Sequence, residues 1–226
     1  MRMIKLIFAS QIGPWCERKG IWLHVDAAYA GAAFICPEYR PFLNGIEYAD
    51  SFDFNPHKWM LANTDCSAMW VKNVSDIVNA FNVDPLYLKH EFQGSHIPDY
   101  RHWNVALSRR NRSFKLWFVI RLYGVEGIQN YIRGHIALAR EFEKKLLNDG
   151  RYEIPVPVTM GLVAFRLKDK DNKANERLNK RINSDGRIHM TPAFIGGYLP
   201  TFLDSWFVRD MQNLRTLILL SKLSKN

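Results

Sequence analysis

Long apolar runs are the first thing this sequence lacks. No stretch of its 226 residues is apolar enough over enough length to span a bilayer. The opening "MRMIKLIFAS" has a basic flank and a brief apolar part, but polar residues follow at once. That is a poor secretion signal and suits a cytosolic chain or a damaged start. Cysteine is scarce too. Cys16, Cys36 and Cys66 are odd in number and form no CxxC pair, so reduced thiols in a reducing, cytoplasmic compartment are expected. Acid is in short supply, 22 Asp and Glu against 31 Lys and Arg, for a net charge of +9. The surplus is spread along the chain, densest at "LSRRNRSFK" and "LSKLSKN", with no nucleic-acid-binding pattern around it. Neither a nucleic-acid partner nor a membrane is expected. Internal repeats and low-complexity stretches are also missing. What remains, 47% hydrophobic and 23% charged, is an ordinary globular composition for one large domain or one and a half.

The apolar residues are distributed as in an α/β protein. "IWLHVDAAYAG" begins as a near-continuous apolar run, which predicts a strand buried on both faces, ending at Asp26. "ADSFDF" and "CSAMWVK" predict two further strands, and "SDIVNAF" a short helix. From Asp84 to Tyr100 no period emerges, which predicts a long loop, and such loops are usually functional or disordered. "RSFKLWFVIRLYG" reads as a buried helix closed by Gly124. Ile128, Tyr131, Ile132, Ile136, Ala139, Phe142 and Leu146 then recur at three- and four-residue steps, an amphipathic helix. Pro155 and Pro157 mark an edge, Leu162–Leu167 a solid strand, "NKANERLNKRINS" a polar-faced helix and "IHMTPAF" another strand. The expected division is an α/β part over residues 1–124, with a mobile loop at about 84–100, and a smaller α+β part over 125–226.

Two residues could carry chemistry together. Asp26 and Lys58, the latter in "SFDFNPHKW", each follow a strand, and ligands of open α/β sheets collect beyond the carboxyl ends of strands. An amine can form a Schiff base with a carbonyl cofactor, and a carboxylate can pair with a protonated pyridine nitrogen and keep that ring an electron sink. Pyridoxal phosphate needs both groups. Spacing alone favours a plainer reading, a buried Asp–Lys ion pair or two unrelated residues. His24 reads as a satisfied core histidine. A metal site from His24, Asp26 and His57 lacks further ligands, and no metal is expected.

Longer motifs decide between these readings. "HVDAAYAG", "FNPHKW", "DPLYLKH", "DYRHW" and "RSFKLWFVIRLYGVEG" stand in order and without evident interruption from about Ile12 to Leu199. Together they resemble the group II pyridoxal-phosphate decarboxylases, the aromatic-L-amino-acid decarboxylase family, in its insect-type dopa or tyrosine form. The resemblance implies the C-terminal portion of a fold-type I enzyme: part of the large α/β domain plus the small α+β domain. It implies pyridoxal 5'-phosphate as cofactor, an aromatic amino acid such as dopa or tyrosine as substrate, an amine and carbon dioxide as products, and a cytoplasmic homodimer. Lys58 takes the Schiff-base role and Asp26 pairs with the ring nitrogen. Ala28 lies against a ring face, His57 contacts the cofactor, and Asn55 belongs to the same turn. Tyr87, on the mobile loop, reaches the partner subunit's site and protonates the carbanion carbon. His102 and Trp103 are expected to pack at the base of that loop.

The sequence departs from the family in three respects. A family member carries a comparable length ahead of this stretch, holding the phosphate cradle and the outer stacking group; no Gly-rich phosphate loop precedes Asp26 here. After "GGYLPTFL" the tail, about 204–226, does not follow the family. In the pocket, Thr64 stands where dopa decarboxylases usually have phenylalanine, and Ser108 where they usually have glycine and histidine decarboxylases have serine. "NPHKW" is nevertheless the dopa-type form. The alternatives are an aromatic aldehyde synthase on the same scaffold, or an inactive fragment that only pairs with a full-length protomer.

Overall fold

A computed structural model describes residues 9–83, 86–88, 99–194 and 201–204. They fall into two units, one within Ile7–Val125 and the other within Glu126–Asn226. No helix among the described residues is long and apolar enough to cross a membrane.

The first unit opens with helix α1 (Ala9–Lys19), whose last turn carries Arg18 and Lys19, the favourable sign for a helix C-terminus. Three strands form its sheet: β1 (His24–Asp26), β2 (Ser51–Phe54) and β3 (Ala68–Val71). β1 runs parallel to β2, with Asp26 opposite Asp53, and β2 runs antiparallel to β3. Three 3-10 helices link β1 to β2. The first, Ala30–Ile35, packs so tightly on β2 that a Cβ at Gly31 would collide with the Phe54 Cβ. One turn of helix, α2 (Pro56–Trp59), follows β2 directly. Helix α3 (Val74–Phe81) follows β3 and is capped by the Asn73 side chain, which accepts the Ser75 N–H at 3.3 Å.

β1 is shorter and more open than its apolar run suggests: His24 and Asp26 are exposed and Val25 only half-buried. His24 is not a core residue either. Its Nδ1 lies 2.8 Å from Ser51 Oγ and its Nε2 lies 3.2 Å from Asp53 Oδ1, on the face that also bears Asp26. The polar residues on that face account for its exposure.

Helix α4 (Arg112–Asp149) is two helices joined at Gly124, where φ is 61° and ψ 179°. Such a backbone suits glycine and ends the first helix, as the sequence predicts. That first stretch, 112–123, is not the buried helix expected. Phe114, Trp117 and Phe118 are about half exposed, and only Arg112, Lys115, Leu116 and Val119 turn inward. Apolar residues encircle it, so one contact stripe covers few of them. The three exposed rings pack on each other instead, with centroids 4.6–5.7 Å apart.

The second unit follows the sequence more closely. Ile128, Ile132, Ile136, Ala139, Phe142 and Leu146 form the buried stripe of α4. Ala139, Phe142 and Leu146 of that stripe share a core with a four-stranded antiparallel sheet of order β4 (Tyr152–Glu153), β5 (Leu162–Leu167), β7 (Thr201–Asp204), β6 (Thr191–Pro192). Phe165 is the centre of this core, edge-on to Phe142 and to Tyr152. Helix α5 (Asn172–Asp185) starts at Asp171, whose carboxylate accepts the Ala174 N–H at 2.8 Å, and ends at Gly186 with φ 77°. Its buried stripe is Asn175, Leu178, Asn179 and Ile182. The asparagines are satisfied: Asn175 accepts from Leu167 N at 2.7 Å and Asn179 donates to Met190 O at 3.0 Å. The strand expected at "IHMTPAF" shrinks to two residues because Met190 spends its main-chain groups on Asn179 and Asn183.

Candidate active site

Asp26 ends β1, and residues 27–28 continue in the same direction beside the end of β2. Its Oδ1 accepts the Ala28 N–H at 3.0 Å, a local turn that fixes the carboxylate at the strand end. Ala27 N donates to Asp53 O at 3.0 Å and Asn55 N donates to Ala28 O at 3.0 Å. These bonds lay residues 26–28 beside 53–55. Lys58 N then donates to Asn55 O at 2.9 Å, closing α2. The result brings Asp26, Ala28, Asn55, His57 and Lys58 to one end of the parallel strand pair.

The position of Lys58 between an imidazole and an indole now has a physical account. Trp59 is the anchor: fully buried and stacked on Tyr29, with ring centroids 4.7 Å apart and planes within 5°. With Trp59 turned inward, the neighbouring Lys58 is turned out, and it is exposed. Among the described residues its Nζ has no hydrogen-bond or ion-pair partner, so a buried Asp26–Lys58 pair is ruled out. An amine not tied up in an ion pair is open to approach by a carbonyl, which it attacks once it has lost its proton. His57 is half-buried, and its Nδ1 lies 3.1 Å from Cys66 N and 2.5 Å from Cys66 O. The ring accepts from the amide or donates to the carbonyl according to tautomer, and either way it is held against the 63–66 turn.

Asn55 offers a test of whether a cofactor fits. It is the N-cap of α2, yet its side chain makes no capping bond, and its buried Oδ1 has no hydrogen-bond partner. A buried amide oxygen left unpaired costs free energy unless something else meets it. The unpaired amine fits the aldehyde of a pyridine cofactor and the strand-end carboxylate fits its protonated ring nitrogen, while the Asn55 oxygen offers an acceptor beside them.

Thr64 and Ser108 are both exposed. Each lies close in sequence to a member of one cluster of charge. Asp65, next to Thr64, accepts from Arg112 Nε at 2.9 Å and lies 2.8 Å from its Nη2, 3.5 Å from Arg110 Nη1 and 3.8 Å from Lys115 Nζ. The Arg112 guanidinium holds the Asp65 carboxyl down at about 2. Burial pushes the Cys66 thiol up, which disfavours its thiolate form. Nothing in the sequence flags Asp65, because its partner lies 47 positions away and no local period connects them.

Tyr87 is placed apart from this group. It sits in a 3-10 turn (Leu86–Leu88), is 81% exposed, and lines a cavity of about 330 Å³ with Ala80, Phe81, Arg101, His102 and Leu107. Asp26, Asn55, His57 and Lys58 do not line that cavity. His102 is buried, and Trp103 meets Tyr100 edge-on at 5.6 Å. The Arg101 guanidinium holds the Asp99 carboxyl well below the usual carboxylate range. Residues 84–85 and 89–98 of the loop expected at 84–100 lie outside the described residues, as does the tail after 204.

Comparison with known proteins places these features in a family. The pyridoxal-dependent decarboxylase conserved domain matches residues 8–168. The aromatic-L-amino-acid decarboxylase of Manduca sexta is 64% identical over 183 residues, covering 81% of this chain and 36% of that protein. The enzyme of that name from Sus scrofa is 59% identical over 188 residues, covering 83% and 38%. The chain therefore spans little more than a third of the length of these relatives. Among solved structures, Oryza sativa TDC with PLP and tryptamine superposes with a TM-score of 0.86 at 31% identity, over 96% of this chain and 47% of that one. Catharanthus roseus tryptophan decarboxylase in complex with L-tryptophan gives 0.83 at 39% identity, over the same shares of the two chains. The expected fold, an α/β portion of a fold-type I enzyme, is borne out.

Proposed function

Because the chain belongs to the pyridoxal-dependent decarboxylase family, we propose that its protein decarboxylates an aromatic L-amino acid, dopa, tyrosine or a relative, to the amine and carbon dioxide. The observation that carries this reading is the exposed, unpaired Lys58 amine one helical turn beyond the strand pair that ends in Asp26. Pyridoxal phosphate, once bound, supplies an aldehyde for amine attachment and a protonated ring that takes up the electron pair left when carbon dioxide departs.

The protein's own residues do the rest. Lys58 holds the cofactor through its amine. Asp26, with one oxygen on Ala28 N–H and the other open, holds the proton at the ring nitrogen. Ala28, with no side chain beyond Cβ, leaves a ring face clear. Asn55 offers its unpaired amide, and His57 presents an imidazole whose orientation Cys66 sets. Tyr87, from the partner subunit of a homodimer, delivers a proton to the substrate carbon. Thr64 and Ser108 shape the substrate side, and the hydroxyl of Ser108 narrows it relative to glycine. The three buried thiols support a reducing, cytoplasmic setting.

A chimera tests this reading. Residues 12–199 replace the matching region of the Manduca sexta relative, and the product is supplied with pyridoxal phosphate and with dopa, tyrosine or tryptophan. Amine and carbon dioxide in equal amounts are expected. Aldehyde with hydrogen peroxide would transfer the reading to an aldehyde synthase. A folded chimera giving neither product would refute it.

A further inference from the structure

We infer that Asp65 is a positioning residue of the candidate site, fixing through Arg112 and Lys115 the turn whose Cys66 backbone holds the His57 ring. The turn 63–66 has no regular hydrogen-bonded structure of its own. Three groups from the first stretch of α4 supply it instead. Arg112 grips the Asp65 carboxylate with Nε and Nη2 at 2.9 and 2.8 Å. Lys115 Nζ donates to Asn63 O and to Asp65 O, each at 3.3 Å. Arg112 O accepts from Cys66 Sγ at 3.6 Å. Cys66, so held, meets His57 with both of its main-chain groups, and His57 N donates to Cys66 O at 3.3 Å.

Exposed ion pairs contribute little to global stability, and Asp65 is 44% exposed. A cluster of this density on one turn therefore needs another account, and fixing an orientation is what charge-assisted forked bonds do well. Arg110 Nη1 approaches the same carboxylate at 3.5 Å without a hydrogen bond, a looser tie to the stretch that follows Ser108. The inference rests on the proposed decarboxylase reading only for what His57 is positioned to do.

The test uses the 226-residue chain without cofactor, so it can succeed or fail independently of the decarboxylase reading. In Asp65→Asn, hydrogen exchange at the Cys66 and His57 amides should rise about tenfold, the loss of one charge-assisted bond. Exchange in the paired β2–β3 amides should not change. The His57 ring nitrogen shifts in NMR should move toward those of a free imidazole, and Asp65→Glu should restore them in part. Lys115→Met should raise exchange at the same amides. Unchanged His57 shifts in Asp65→Asn would overturn the inference. So would a rise in exchange shared equally by β2 and β3, which would make Asp65 a general support of the unit.

Discussion

Trp59→Ala should cost this protein more than removing any of the charged residues at the candidate site. The indole is fully buried beside Lys58 and lies flat on Tyr29. An aromatic side chain of this kind buries ~150–250 Å². At ~25 cal/mol per Å² that is ~4–6 kcal/mol for the whole group, and alanine keeps the Cβ share. Core Trp and Phe truncations cost ~3–5 kcal/mol, cavity included. A loss of that size is expected here, against a total of ~5–15 kcal/mol for an ordinary domain. Trp59→Phe keeps a ring on Tyr29 and should lose much less. Urea unfolding followed by circular dichroism gives both values. Hydrogen exchange adds the local reading: the Lys58 and Met60 amides, bonded to Asn55 O and Pro56 O at 2.9 and 3.0 Å, should lose protection before β2 does. A Trp59→Ala variant destabilised by less than ~1 kcal/mol, the typical effect of a point mutation, would refute the claim that this ring sets the lysine's direction.

In the chimera, borohydride should fix the cofactor to the peptide containing Lys58 and to no other, as peptide mass mapping would show; labelling of a different lysine would end that assignment. Asp26→Asn should fold normally and lose activity by roughly two to three orders of magnitude, the scale of a removed electrostatic stabiliser. Turnover near the parent value would make Asp26 structural. Tyr87→Phe should bind cofactor and substrate but form amine ~10²- to 10⁴-fold more slowly; an unchanged amine yield would assign the proton to another group. The Asp65 carboxyl, held down at about 2, gives a pH signature. Its pKa is depressed on folding, so its contribution is complete above pH ~4 and lost as pH falls from there through 2. Protection of the Cys66 amide should fade over that window in the parent protein and not in Asp65→Asn.

The readable parts of this fold were those whose side chains repeat. Leu162–Leu167 is apolar throughout and forms a strand over those residues. The stripe from Ile128 to Leu146 is buried as its spacing predicts, with Tyr131 only half-buried. Hydrophobicity without direction misled. The stretch 112–123 is apolar all round, and a composition of that kind fixes that a helix forms but not which side is covered. At the site, Lys58 and Asp26 were legible because a strand end followed by a charged residue is a local signal. The one-turn helix that aims Lys58 was not, since four residues carry no period. The hold of Cys66 on His57 escaped for a different reason: it runs through main-chain groups, which no residue choice announces.

The three buried thiols have a practical consequence. Cys16, Cys36 and Cys66 lie in different surroundings within the first unit, the last of them on the turn that holds His57. In the folded chain a thiol reagent reaches each only when its surroundings part. Alkylation of Cys66 timed against that of Cys16 and Cys36 is then a stopwatch already present in the natural sequence. It separates the breathing of a single turn from the opening of the body that carries it.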